Sequence, residues 1–158
     1  MKVLLDEDVP VQLLGALVPV LDGHQVDHVQ GLGWKSKKDL NLLPDAAGRG
    51  YDVLVTNDKN QLNDPGECRA IRDSGLHHVR YDQDARLGKE GLGLAMASVL
   101  AAAAAFMRDL EAADGQRLVH VQSVRPHVRA GRYRLVDPVV APPAYWPRSG
   151  PAPRRPRR

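Results

Sequence analysis

Short apolar runs alternate along the chain with longer stretches in which leucine and alanine recur at helical spacing. The apolar runs have strand length, and they predict strands over residues 2–5, 25–29, 52–56, 77–81, 118–122 and 133–136. The stretches between them predict helices through residue 21, after Ser36, over 65–74 and over 91–113. Because parallel strands need a covering crossover, this alternation predicts an α/β fold with a mostly parallel sheet, helices on both faces and a C-terminal β-hairpin.

Capping residues, prolines and glycines indicate where the first two predicted helices begin and end. Asp8 is a candidate N-cap for the first helix, with Pro10 in its first turn, and Ser36 is a candidate cap for a short helix starting near Lys37. Pro44 should break or kink that short helix, which is expected to end at residues 48–50, Gly-Arg-Gly.

Length and composition set broad limits. The 158 residues fit one domain with a core plus an appendage, and 43% hydrophobic with 26% charged residues is ordinary for a soluble protein. Cys68 is the only cysteine, which excludes an internal disulfide and a cysteine-built zinc site. No uncharged apolar run reaches the roughly 20 residues that span a bilayer, and the N-terminus lacks a secretory signal pattern. A cytoplasmic location away from the membrane is expected.

The C-terminal segment differs from the rest of the chain. Residues 141–158 carry five arginines and no acid, so removing their +5 from the overall +3 leaves −2 on residues 1–140. Half of the chain's 12 prolines lie in the same segment, which predicts a disordered tail after a domain spanning 1–140. Arg154 and Arg155 could contact RNA phosphates, or the tail could simply be solvated.

Acidic residues follow two of the predicted strands. Asp6, Glu7 and Asp8 come directly after the first strand, Asp58 follows the third, and Asp39 falls in the first turn of the short helix. In parallel sheets these positions open on one edge, where ligands bind. Carboxylates gathered there would favour a Mg²⁺ or Mn²⁺ ion, which prefers hard oxygen ligands.

Each acid also has a structural alternative when it is taken alone. Asp8 could be only a helix cap, Glu7 could face solvent, Asp39 could complement the helix dipole, and Asp58 could cap a turn. Their combination favours the metal site.

Polar neighbours of these acids are candidates for contacting substrate. Thr56 and Asn57 could orient Asp58 or hydrogen-bond a phosphate, and Lys59 and Asn60 follow directly. A basic group beside Asp39 is either solvated or in contact with the RNA backbone; its members are Lys35, Lys37 and Lys38. The histidines give weaker signals: His24 and His28 are expected at the surface or in loops, and His77 and His78 should face opposite ways.

The order of these segments resembles the PIN-like domain superfamily. The likeness runs from residue 1 to about 82, through residues 1–10, 23–26, 39–40 and above all 52–60, which end a strand in Thr-Asn-Asp. Residues 63–70 and 75–76 look like the VapC-type toxin branch. The resemblance implies a ribonuclease dependent on Mg²⁺ or Mn²⁺, often the toxin of a toxin–antitoxin pair. Carried over by position, the metal-binding acids are Asp6, Asp39 and Asp58, with Glu7 and Asp8 as further possible ligands.

Two departures from the family pattern matter. Many relatives have Asn where this chain has Asp8, which adds a possible ligand. Others place an acid and then an aromatic residue where this chain has Asn60 and Gln61. The missing acid weakens a second metal site unless another carboxylate replaces it, and the candidates are Asp64, Glu67 and Asp82.

Alternatives to a nuclease remain open at this point. A non-catalytic PIN-like module could bind RNA or a protein through the same face. A phosphoacceptor receiver domain also has acids after its first and third strands, but this chain resembles that class less, because no lysine-bearing loop follows a late strand in the expected place. Possible partners are an RNA substrate, a cognate antitoxin and a second copy of the chain. The alanine-rich segment 97–105 is expected to pack against a neighbouring helix or against that second copy.

Overall fold

The structure is a computed structural model that describes residues 1–37 and 39–124. The predicted strand over 133–136, which completes the expected hairpin, lies outside the described residues, as do the proline- and arginine-rich tail and Lys38. The boundary proposed at residue 140 lies outside them as well, and it stays a prediction.

A five-stranded sheet forms the centre of the described fold. Its strands are β1 Lys2–Leu5, β2 Gln25–His28, β3 Val53–Thr56, β4 His77–Tyr81 and β5 Leu118–Val121. They are ordered β2-β1-β3-β4-β5, and every neighbouring pair is parallel. The predicted α/β class with a parallel sheet is confirmed, and each described strand lies within one residue of its predicted bounds.

Four helices and two short 3₁₀ turns connect these strands. The helices are α1 Val11–Val20, α2 Asp39–Gly48, α3 Pro65–Ser74 and α4 Gly88–Glu111, and the 3₁₀ turns are Gln61–Asn63 and Ala85–Leu87. Local chemistry sets the ends of α3: the Asp64 carboxylate accepts hydrogen bonds from the Gly66 and Glu67 amides, and Gly75 closes the helix at φ 72°. This helix has the bounds that the sequence predicts.

Separate apolar clusters cover the two faces of the sheet. On one face α1 and α4 contribute residues such as Leu17, Val99 and Met107, which pack with Val3 and Val55. On the other face α2 and the following elements pack residues that include Leu42, Leu43 and Ile71 against Leu4 and Leu54. Neighbours along a strand point to opposite faces, so Leu4 and Val3 belong to different clusters. The result is the three-layer sandwich expected from the sequence.

Two of the predicted helix caps are wrong. Pro10 rather than Asp8 is the N-cap residue of α1, and no side chain caps that helix end. The second helix begins at Asp39 instead of near Lys37, and Ser36 lies before it with φ 62°, donating its amide N–H to Glu7 Oε2 at 2.6 Å. Both residues are held by tertiary hydrogen bonds that local patterns do not reveal.

Pro44 lies inside α2 and does not end it; the helix continues to Gly48, where the sequence predicts its end. Proline has no N–H to donate, so Leu40 receives no helical hydrogen bond from this position. Leu42, Leu43 and Ala46 are buried, and their packing holds the helix together.

The segment Ala85–Glu111 is long and apolar enough to cross a membrane on length and composition alone. The sequence predicts no such stretch, because no uncharged apolar run reaches the roughly 20 residues that span a bilayer. Part of this helix is buried on the sheet, including Ala95, Val99 and Phe106. These buried residues pack against the apolar cluster on that face of the sheet.

Candidate metal site at the sheet edge

An open pocket of about 290 Å³ lies at the carboxyl end of the central strands. Its lining residues are Asp6, Glu7, Asp8, Lys37, Asp58 and Gln61. β1 and β3 are adjacent and parallel, so the residues that follow them emerge side by side. The sheet order therefore brings together acids that are separated by some fifty positions in the chain.

Asp6 is the most enclosed acid of the pocket, with 7% of its surface exposed. Its amide N–H donates to the Val55 carbonyl at 2.9 Å and extends the contact between β1 and β3. Its Oδ1 accepts from the Glu7 amide at 2.7 Å, and its Oδ2 accepts from Gln61 Nε2 at 3.3 Å. Donors on both oxygens restrict rotation of the carboxylate.

Asp8 joins the loops after β1 and β3. Its Oδ1 accepts from the Asn57 amide at 3.1 Å, and the Thr56 hydroxyl lies 3.4 Å from each of its carboxylate oxygens. This tertiary role replaces the predicted helix cap. Glu7 is exposed, but its carboxylate is held by Ser36 and does not simply face solvent.

Asp58 both closes a turn and lines the pocket. Its Oδ1 accepts from the Asn60 amide at 2.7 Å, as the structural alternative predicts. Its own amide donates to Thr56 Oγ1 at 3.0 Å, and Thr56 is completely buried at the end of β3. The Thr56 hydroxyl thus accepts from the Asp58 amide and lies near the Asp8 carboxylate, and the orienting role of Thr56 stays a prediction.

Asp39 is the first residue of α2. Its side chain is outside the described part of the structure, so its predicted part in the ligand set stays a prediction. Within residues 1–37 and 39–124, no group of three or more described His, Cys, Asp or Glu side chains is placed to hold a metal ion together.

Two basic side chains lie over the Trp34 ring, and one of them lines the pocket. Lys37 lines it and forms an ion pair with Asp45, while its Nζ lies 4.7 Å from the centre of the Trp34 ring. The Arg49 guanidinium lies over the same ring at 4.4 Å. Lys35 and Lys59 are exposed. Arg154 and Arg155 lie outside the described residues.

None of the suggested replacement acids lines the described pocket. Asp64 caps α3, Glu67 lies in the first turn of that helix, and Asp82 accepts from His120 Nε2 at 2.8 Å on the far side of β4. Within the described part of the chain, these three carboxylates therefore do not replace the acid that relatives carry at the position of Asn60.

A buried polar pair beneath the pocket was not predicted as part of the site. Gln61 and His78 are each only 1% exposed, and His78 Nε2 lies 3.0 Å from Gln61 Oε1. Burial, and secondarily Arg80, lowers the pKa of His78 to about 4, so the ring is neutral near pH 7. The alternation of β4 indicates that His77 and His78 face opposite ways, but it does not identify the buried one.

Two further buried groups lie near the acidic residues. His28 was predicted at the surface or in a loop, but it lies in β2, is 3% exposed and has its Nε2 2.8 Å from the Val9 carbonyl, just after the acidic residues 6–8. Tyr81 is buried, and its pKa is raised far above the usual range by burial and then by the charges of Asp8 and Asp6. Its hydroxyl stays protonated near these acids.

The chain belongs to the PIN-like domain family, whose sequence profile matches residues 1–83. The matched region contains β1 to β4 up to Tyr81 and all the residues that line the pocket. PIN-like domains are often nucleases, and the family match does not favour the receiver-domain alternative. No curated protein and no solved structure shows significant similarity to this chain.

Proposed function

We propose that the protein is a metal-dependent ribonuclease that uses Mg²⁺ or Mn²⁺. The observation that carries this proposal is the convergence of Asp6 and Asp58, from the ends of two adjacent buried strands, on one open pocket. Carboxylates gathered in this way repel one another unless a cation or a proton offsets their charge. The PIN-like family is a second, independent support for a nuclease.

The donor chemistry of the pocket fits a hard divalent cation. Asp6 and Asp58 are the ligands that the structure supports best, with Glu7 and Asp8 as further oxygen donors and Asp39 as the ligand expected from the resemblance. When bound, the cation would activate a water molecule and neutralise charge on the phosphate. The contacts of Gln61 and Thr56 hold the acids in place, so that little reorganisation is needed when substrate arrives.

RNA is the proposed substrate, and basic side chains beside the pocket would contact its phosphates. Lys37 lines the pocket directly, and Lys35 is close in sequence. We extend the same role to Lys38 and to Arg154 and Arg155 of the tail. Thr56, Asn57, Lys59 and Asn60 follow the strand end beside Asp58, and we propose that they position the scissile phosphate.

The biological setting is part of the proposal. The resemblance of residues 63–70 to VapC-type toxins supports a toxin of a toxin–antitoxin pair that acts in the cytoplasm, neutralised by a cognate antitoxin and acting alone or as a homodimer. Expression of the chain in a bacterial host should then arrest growth, and the Asp58→Asn variant should not. Equal growth of the two strains would contradict the toxin role.

RNA cleavage by the purified protein tests the nuclease directly. Wild-type protein should cleave RNA only with Mg²⁺ or Mn²⁺, and Asp6→Asn and Asp58→Asn should abolish cleavage without unfolding the protein. Asp73→Asn is the matched control, because it removes an exposed carboxylate at the end of α3 and should leave cleavage unchanged. Cleavage at the wild-type rate by both pocket variants would contradict the assignment of Asp6 and Asp58 to a nuclease site.

The second candidate function is a non-catalytic PIN-like module that binds RNA or protein. Asn60 favours it, because relatives often carry an acid at this position and no described carboxylate among the suggested replacements takes its place. Mn²⁺ binding without RNA cleavage would select this alternative over the nuclease.

A further inference from the structure

Gln61 connects an acid of the pocket to a buried histidine. It lies at the start of the 3₁₀ turn Gln61–Asn63, and its amide group reaches Asp6 Oδ2 on one side and His78 Nε2 on the other. Both Gln61 and His78 are almost completely buried, and His78 belongs to β4, beyond β3 in the sheet. The chain of contacts therefore runs from the pocket into the fold.

The chemistry of the three groups fixes the direction of these hydrogen bonds. An ionised carboxylate only accepts, so the Gln61 amide must present its NH₂ group to Asp6 and its carbonyl oxygen to His78. That oxygen also only accepts, so neutral His78 must carry its proton on Nε2. The unprotonated nitrogen is then Nδ1, which is buried and has no hydrogen-bond partner in the described structure.

Burying these polar side chains is costly if they serve packing alone. An apolar pair of similar volume would fill the same space without giving up hydration. Oriented outer partners of a metal-binding carboxylate, in contrast, are a known means of raising metal affinity. The buried pair has the position such partners need, because Gln61 contacts Asp6 Oδ2 while the Glu7 amide contacts Oδ1.

We propose that Gln61 is a positioning residue for Asp6 and that His78 fixes the Gln61 amide, so that the pair sets the affinity of the acidic pocket for a divalent cation. This inference rests on the proposed metal-dependent function. It assigns no metal contact to either residue. The two residues act as one unit, since His78 reaches Asp6 only through Gln61.

Direct Mn²⁺ titration of the full chain without RNA tests the proposal, with bound and free ion distinguished by electron paramagnetic resonance. Gln61→Met keeps the length of the side chain but removes the amide, and it should weaken Mn²⁺ binding by about 10- to 100-fold. His78→Leu should weaken it in the same direction. The double variant should match Gln61→Met alone, because removing the amide already disconnects His78.

Two variants separate positioning from general damage. His78→Gln retains a donor at the tip of the side chain and should restore affinity relative to His78→Leu. Gln116→Met removes a glutamine that donates to the Ile71 and Leu76 carbonyls, just before β5 at the opposite end of the sheet. It should reduce thermal stability while leaving Mn²⁺ affinity unchanged.

The outcomes separate this inference from the proposed function. Mn²⁺ binding by the wild type together with unchanged affinity in Gln61→Met would overturn the positioning role alone. Additive losses in the double variant, or equal losses in His78→Leu and His78→Gln, would also overturn it. Absence of Mn²⁺ binding by the wild type would overturn both proposals. If Gln61→Met does not fold, the comparison of His78→Leu with His78→Gln decides the question.

Discussion

Replacement of Thr56 by valine should lower both the stability of the fold and the affinity of the pocket for a divalent cation. Valine has nearly the same shape as threonine, so Thr56→Val keeps the packing of this fully buried strand end. It removes the hydroxyl that accepts from the Asp58 amide at 3.0 Å and lies 3.4 Å from both Asp8 carboxylate oxygens. Two pocket acids thus lose a common partner.

The expected loss of stability follows from these two contacts. The shorter one is an ordinary hydrogen bond, worth about 0.5–1.5 kcal/mol, and the longer contact to Asp8 adds less because its geometry is poor. A total of about 1–2 kcal/mol lowers the melting temperature of a chain of this size by roughly 2–8 °C. Mn²⁺ affinity should fall by about tenfold or more, since Asp58 is no longer held against its strand.

The matched control is Thr56→Ser, which keeps the hydroxyl and loses a buried methyl group. It should cost about 1 kcal/mol of unfolding free energy, yet bind Mn²⁺ as the wild type does. Urea unfolding and Mn²⁺ titration of the three proteins provide the comparison. Wild-type Mn²⁺ affinity in Thr56→Val, or equal losses of affinity in the valine and serine variants, would refute the role of the hydroxyl.

Three further predictions concern the metal, the pH and the tail. Mn²⁺ at 100 times its dissociation constant should raise the unfolding free energy by about 2.7 kcal/mol, and Asp58→Asn should remove this stabilisation. If Mn²⁺ still raised the melting temperature of the variant, the proposed metal site would be contradicted. The folded-state pKa of His78, about 4, lies below the ordinary 6.5, so unfolded chains bind a proton that the folded protein excludes, and stability falls as pH drops from about 6.5 towards 4. Between pH 7 and pH 5 the unfolding free energy of the wild type should fall by roughly 2 kcal/mol more than that of His78→Gln, as measured by urea denaturation. Equal decreases in the two proteins would contradict a buried neutral ring. Deleting residues 148–158 removes five arginines and should weaken RNA binding. The slope of log binding constant against log salt concentration should become shallower by up to about 3.5. An unchanged slope would show that the tail does not contact RNA phosphates.

Elements whose determinants are local could be predicted from the sequence. The bounds of α3 were predicted correctly, and in the structure they are marked by the Asp64 cap, by Pro65 in the first turn and by Gly75 at the C-terminal end. The convergence of Asp6 and Asp58 was also predictable, because parallel strands with helical crossovers place their carboxyl ends on one edge.

Tertiary contacts explain what the sequence could not supply. Asp8 looks like a helix cap in its local setting, but its partner Asn57 is 49 positions away. Ser36 likewise resembles a cap, while its amide is bound by Glu7 from the loop after β1. In the sequence Gln61 differs from a family pattern, but no local feature shows that its side chain contacts His78 on β4.

A crystal of the full chain soaked in Mn²⁺ would test the central claim most directly, because the ion is located by its anomalous scattering. We expect an anomalous peak in the acidic pocket, within coordination distance of Asp6 and Asp58 oxygens. The same map would show whether Asp39 joins them. A fully soaked crystal with no peak in this pocket, or with the ion bound elsewhere on the chain, would contradict the account.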